Sequence, residues 1–374
     1  MEAELPNELP IAQAVVAGPP GTADLLGPCL AEQPSEPESP LQSKFAAPRD
    51  RDAWLHEPTH TYHVKGAKVR NSVTTIIKKH WPSFEAASAL QNYDSWKANK
   101  SSKYGMLIQY LQVVEGRDDE YCKHAIASLW TRNGELASQL GTAMHRDFQF
   151  ICEGNEPPQG ETAEVQVFRK WLQPFMQRYC LEPWRAEWII YYEHQGRVVV
   201  AGQVDLVMKH QKREEYWVST LDAPRAHHSG ANLETLIRHP DLTPDLTNLF
   251  SLFSLGQMID FKRKSSAPKY PGGPRQLLGT ENGSSFGGAT GSGPFKELPH
   301  NDFSVYTTQL NAYGHIAATQ YGIDFRDRMC LLQIHPDLSG PNLVRVERMD
   351  ETMDELFALE IAAMPPPEPP ATLL

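Results

Sequence analysis

Through residues 1–44 no apolar period is sustained, and Pro, Glu, Ala and Gly dominate. Such a segment lacks the apolar surface to order itself, so a disordered acidic, Pro-rich tail is expected. Thr61-Tyr62-His63-Val64 then reads as a strand, with Lys65-Gly66 as a tight turn, and Ser72 caps a short helix beginning at Val73. Apolar residues recur at helical spacing over Asp118–Trp130, Gly134–Glu153 and Ala163–Tyr179, with Gly154-Asn155-Glu156-Pro157-Pro158 as a stop.

The clearest β signal follows. Trp184–Tyr192 and Arg197–Met208 are rich in β-branched and aromatic residues, and His194-Gln195-Gly196 between them predicts a hairpin. Strand patterning returns at Gly256–Arg263, 326–335 and 342–348; helical spacing returns at 302–321 and at Glu351–Ala363, before Pro365-Pro366-Pro367. The order of elements predicts a mixed α/β core over residues 45–364, with a second tail at 365–374. Two stretches fit no compact core: about 209–256, and about 265–297, which is rich in Gly, Ser and Pro. Mobile surface insertions account for both; a retained intron is the competing explanation.

Composition narrows the class. Apolar content of 40% and charged content of 22% are those of a globular protein. No apolar run approaches the ~18 residues of a spanning helix, so no membrane segment is expected. The first residues are acidic rather than basic and apolar, which argues against a secretory signal or a mitochondrial presequence. Five scattered cysteines without a CxxC pair predict reduced thiols in an intracellular protein, nuclear or cytoplasmic rather than mitochondrial. Net charge is −11, yet residues 1–50 hold 8 acidic and 2 basic side chains and residues 347–374 hold 7 and 1. The stretch between them is close to neutral, so total charge does not argue against a nucleic-acid partner.

The chemistry concentrates in Asp260-Phe261-Lys262. Positions i and i+2 of a strand share a face, so Asp260 and Lys262 point one way and Phe261 turns to a core. An isolated Asp-x-Lys triplet is ordinarily a cross-face ion pair. Here it belongs to an ordered set: Gly141-Thr142-Ala143-Met144-His145 in a helix, Gly202-x-x-Asp205 in a strand, the triplet in the next, and Gln309-x-x-x-Tyr313 on one face of a later helix. Carboxylates that hold Mg²⁺, beside a lysine that offsets phosphate charge, are the equipment of phosphodiester hydrolysis.

The ordered set resembles the RecB-like branch of the PD-(D/E)XK nuclease superfamily, over roughly residues 55–360. The resemblance implies a restriction-endonuclease-like mixed central β-sheet flanked by helices. It implies His145, Asp205, Asp260 and the Phe261 carbonyl as ligands to Mg²⁺ or Mn²⁺, and Lys262, Asp260 and Asp205 as catalytic residues. Gln309, Tyr313 and Glu187 would support the substrate and active site. The expected partner is DNA, cut from single-stranded or processed ends, with RNA left open as a substrate. Relatives often carry a Glu where this chain has Gln149, and the four-cysteine arrangement of some has no counterpart, so no iron–sulfur cluster is expected. A catalytically inactive descendant that binds DNA, or an interaction scaffold, is the alternative. His227, His228 and His239 match no standard zinc spacing. Trp81, Trp96 and Trp130 read as helix packing ahead of base stacking, and Lys78-Lys79-His80 and Lys97–Lys103 as solvated faces or a phosphate track.

Overall fold

The computed structural model describes residues 39–45, 49–211, 255–263, 288–325, 328–336, 338 and 340–366. Helix α1 (Pro40–Lys44) starts on a reciprocal cap between Ser39 and Gln42. It lies within the expected tail, but Leu41 is buried and its carbonyl accepts from Arg185, so the packed chain includes residues 39–44. The buried Arg185–Asp50 pair, with Trp188 also donating to Asp50, holds this segment in place.

A small antiparallel sheet follows, with β2 (Thr61–Val64) between β1 (Ala53–His56) and β3 (Ala67–Lys68). Lys65 and Gly66, at φ +52° and +79°, form the two-residue turn that suits a right-twisted hairpin. Ser72 caps α2 (Val73–Lys78) as expected. The helices α3 (Ala86–Ala89), α4 (Tyr93–Ala98) and α5 (Lys103–Val113) come next; the apolar spacing there is too short and interrupted to announce them.

The two helices expected over 118–153 are one, α6 (Asp119–Cys152), 34 residues long. Gly134 does not break it, because a helix tolerates glycine at a cost of about 1 kcal/mol. Its first third packs with α4 and α5 around Ile108, Cys122 and Ile126, and its last third packs on the main sheet through Met144, Phe148 and Cys152. Residues 131–140 between these contacts are exposed all round. Helix α7 (Ala163–Tyr179) runs as predicted, capped by Thr162.

The main sheet has five strands in the order β4 (Leu181–His194), β5 (Arg197–His210), β6 (Leu255–Arg263), β7 (Met329–Ile334) and β8 (Asn342–Val346), of which only β6 and β7 run parallel. Gln195 and Gly196 make the predicted β4–β5 turn, at φ +50° and +77°. The parallel pair needs a crossover, and α8 (Asp302–Tyr321) lies in it. Helix α9 (Asp350–Ala362) ends the described chain. Helices α6 and α7 cover one face of the sheet; α2, α8 and α9 cover the other. The chain is therefore an α/β protein with a mixed central sheet between helical layers.

Of the two long stretches assigned as insertions, residues 212–254 and 264–287 lie outside the described residues, as do His227, His228 and His239. The end of the second stretch is packed: Phe295 is buried, and Ser292 donates to the His80 carbonyl. Trp81 is buried between Phe295 and His300, while Trp96 and Trp130 pack around Tyr104, so all three serve packing. Among the described residues, Cys122 and Cys152 are buried thiols outside any disulfide. No described helix is long and apolar enough to cross a membrane.

Candidate active site

Strand alternation fails in β4 and β5 at the site. Ala186 and Leu206 are paired and face the α6–α7 layer; Trp188 and Val204, also paired and only two residues along, face the α8 layer. Alternation would put both pairs on the same face. Glu187, between them, sits at φ +49°, a left-handed conformation rare for a non-glycine residue and costly inside a strand. Directly across, β5 and β6 part. Their ladder ends at Leu206–Ile259, one step before Asp205 would meet Asp260. The Asp205 carboxylate instead accepts the Phe261 N–H, closing the gap with a charged acceptor.

Phe261 anchors the triplet. Its ring meets Phe148, Phe168 and His145 edge-on at 5.2, 5.5 and 5.7 Å. With Phe261 sunk into the α6–α7 layer, Asp260 and Lys262 turn to the opposite face, as the i, i+2 reading requires. The Lys262 ammonium is 2.6 Å from Asp260 Oδ2 and stands 4.7 Å from the centre of the Tyr306 ring.

His145, from α6, approaches from the other side. Its Nδ1 is 3.4 Å from Glu187 and 3.5 Å from Asp205. Donor atoms of these three side chains all lie within 4.8 Å of one another. Asp260 is outside that group and pairs with Lys262. The expected ligand set thus divides: His145 and Asp205 are together, Glu187 joins them from its supporting role, and Asp260 adjoins them. Gln149, four residues beyond His145, donates to Glu153 rather than to the cluster.

The titration of these groups follows from burial and mutual charge. Burial pushes the Asp260 carboxyl up to about 7, with Asp205 adding to the rise and Lys262 opposing it. Burial also raises Glu187. Asp205 goes the other way: burial would raise it, but His145, Lys262 and the Phe261 N–H together hold it below the usual range. His145 and Lys262 are disfavoured as cations by burial, and the surrounding carboxylates more than reverse that. Two adjacent carboxyls pushed in opposite directions are a mark of acid–base chemistry.

On α8, Gln309 Nε2 donates to the Tyr313 hydroxyl at 3.1 Å. Tyr313 is buried against β5, and this explains Gly202: a Cβ there would meet Tyr313 Cε1 at 2.6 Å and Val73 Cγ2 at 2.8 Å. Gly141, by contrast, has nothing within 4 Å of where its Cβ would be, and the structure offers no packing reason for it. Two further aromatic residues, not assigned to the site from the sequence, stand beside it. Tyr306 sits under Lys262, and its position three residues before Gln309 puts it on the same helical face, a usable signal. Tyr62 of β2 is buried near Glu187 and Asp205, which with burial hold its hydroxyl well above the usual range; only tertiary packing brings it there.

No family model, curated protein or solved structure matches the chain.

A divalent cation fits the residues. Glu187 Oε1 and Asp260 Oδ2 are buried oxygens whose neighbours, His145 Nδ1 and the Lys262 ammonium, give them ion-pair contact without a well-directed hydrogen bond, and each keeps a lone pair that a hard cation can take up. Asp205, Glu187 and Asp260 against Lys262 leave two negative charges when His145 is neutral, which a dication would balance.

Proposed function

We propose that the chain is a Mg²⁺- or Mn²⁺-dependent deoxyribonuclease of the RecB-like PD-(D/E)XK kind, hydrolysing phosphodiester bonds. The observation that carries this reading is the gathering of His145, Glu187, Asp205, Asp260 and Lys262, from one helix and three strands, at the point where β5 and β6 part. Asp205, Glu187 and His145 would hold the metal, with Asp260 at its edge. When bound, the ion would supply charge for the phosphoryl oxygens and lower the pKa of a coordinated water. Lys262, fixed by Asp260, presents a cation to the phosphate and to the water that attacks it. Phe261 holds both neighbours in orientation. Tyr62, Tyr306 and Tyr313 wall the site and limit bulk water, which strengthens each charge interaction inside it.

The test is cleavage of open-ended, end-blocked and circular DNA in Mg²⁺ or Mn²⁺, with an RNA strand in parallel. Wild type should degrade at least one DNA form, and Asp260→Asn and Lys262→Ala should lower the rate by at least about a thousandfold. Equal activity in all three proteins would overturn the reading. Gln149, turned to Glu153, favours a second reading in which the fold binds DNA without cutting it. DNA binding with no cleavage in any divalent metal would select that one.

A further inference from the structure

The small sheet has an outer face that the proposed reaction does not use. Cross-strand partners on it form a row: Trp54 on β1 opposes His63 on β2, and His63 opposes Lys68 on β3. The inner face, Ala53, Tyr62 and Val64, is buried against β4 and β5, so this row points outward. The Trp54 and His63 rings stack at 4.2 Å and 10°. Both are only partly covered, and Lys68 is exposed.

Lys68 also lines a groove of about 470 Å³ beside the sheet, with Arg70, Lys79 and Arg197. The carboxylate in the lining is Glu360, which is buried and already held by Lys79 and Asn71. Among the described residues, neither Lys68 nor Arg70 makes an ion pair, so their charge is available. Flat aromatic surface beside free cations suits one partner class above others. Bases stack on the rings while phosphates pass along the cations, and only a strand with unpaired bases offers both.

From these observations we infer that the outer face of the small sheet and the adjoining groove bind single-stranded nucleic acid, with a base on the Trp54–His63 stack and the backbone along Lys68 and Arg70. The inference shares with the nuclease reading only the class of partner. The groove residue Val199 is six positions from Asp205 along β5, roughly 20 Å at a strand's rise per residue. A bound strand would thus be held well away from the bond being cut.

The test is anisotropy of a fluorescein-labelled oligothymidylate with the full chain in EDTA, so that binding is read without cleavage. Trp54→Ala should weaken binding by about tenfold, the lower end of what one stacked base supplies. Lys68→Glu with Arg70→Glu should flatten the dependence of log Kd on log salt by about 1.4, for two lost single-strand phosphate contacts. Both lysine and arginine are exposed, so that variant should keep the wild-type circular dichroism and melting temperature. Unchanged affinity and slope in both variants would overturn the inference. So would equal affinity for duplex, or an oligonucleotide bound no more tightly than inorganic phosphate. Asp260→Asn separates the two readings. Its loss of cutting reports on the nuclease alone, whereas Trp54→Ala and the Lys68→Glu, Arg70→Glu variant report on the platform, so a wild-type chain that binds through Trp54 and Lys68 but cuts nothing in Mg²⁺ or Mn²⁺ leaves the platform standing without the nuclease.

Discussion

At the level of single residues, the site is a set of local conflicts settled by neighbours. Glu187 shows this best. A left-handed glutamate inside a strand costs on the order of 1 kcal/mol or more, and the chain keeps it where its carboxylate meets His145 and Asp205. Glu187→Gly should therefore melt no lower than wild type, and about 1 kcal/mol of added stability is expected from relief of the strain. The same variant should bind Mn²⁺ at least about tenfold more weakly in calorimetry, since even outer contacts to a metal site cost that much. A large drop in melting temperature would show that Glu187 serves the fold rather than a ligand. His145 carries a second expectation. Imidazole is a better donor for transition metals than for Mg²⁺, so Mn²⁺ should saturate wild type at lower concentration than Mg²⁺. His145→Ala should narrow that difference, read from metal titrations of both proteins.

At the level of elements, legibility followed the range of the physics. The β4–β5 hairpin, the helices at 163–179 and 302–321, and the cap at Ser72 depend on neighbours in sequence, and the pattern announces them. Asp260, Phe261 and Lys262 were equally legible, because period-two alternation assigns their faces without tertiary information. The conformation of Glu187 was not: the resemblance names the residue in a supporting role, but nothing in its flanking residues signals a left-handed turn within a strand. Nor was the fusion of two helical patterns into α6, which depends on separate cores gripping its two ends. Gly202 was legible as a motif residue, and its reason is tertiary: α8 presses Tyr313 onto the strand there. Gly202→Ala must push Tyr313 or Val73 aside and should destabilise by about 1–3 kcal/mol in denaturant melts, through overpacking. Gly134 predicts the opposite. It lies in the bare middle of α6 with nothing near its missing Cβ, so Gly134→Ala should stabilise by about 0.5–1 kcal/mol. Destabilisation at Gly134 would mean that something covers that stretch of α6.

For the molecule as a whole, pH acts through groups that are held uncharged as well as through paired ones. His210, at the end of β5, is the clearest case away from the candidate site. Burial, helped by the positive charge of Arg328, pushes its imidazole down to about 4, against an ordinary value of 6.5. Carbonyls of Tyr179 and Cys180 oppose the shift without reversing it. The sign follows from proton uptake. Between pH 6.5 and 4 the unfolded chain protonates this imidazole and the folded chain does not, so stability is full above 6.5, falls as pH drops through that window, and levels off below about 4. The group is partly exposed, so the loss is roughly 2 kcal/mol once solvent screening is allowed for. His210→Gln keeps a hydrogen-bonding side chain and removes the titration. Its stability should change less than that of wild type between pH 7 and pH 4.5, measured as the difference between denaturant midpoints at the two pH values. If both proteins lose the same amount, the acid sensitivity belongs elsewhere, and His210 is protonated in the folded chain as readily as in the unfolded one.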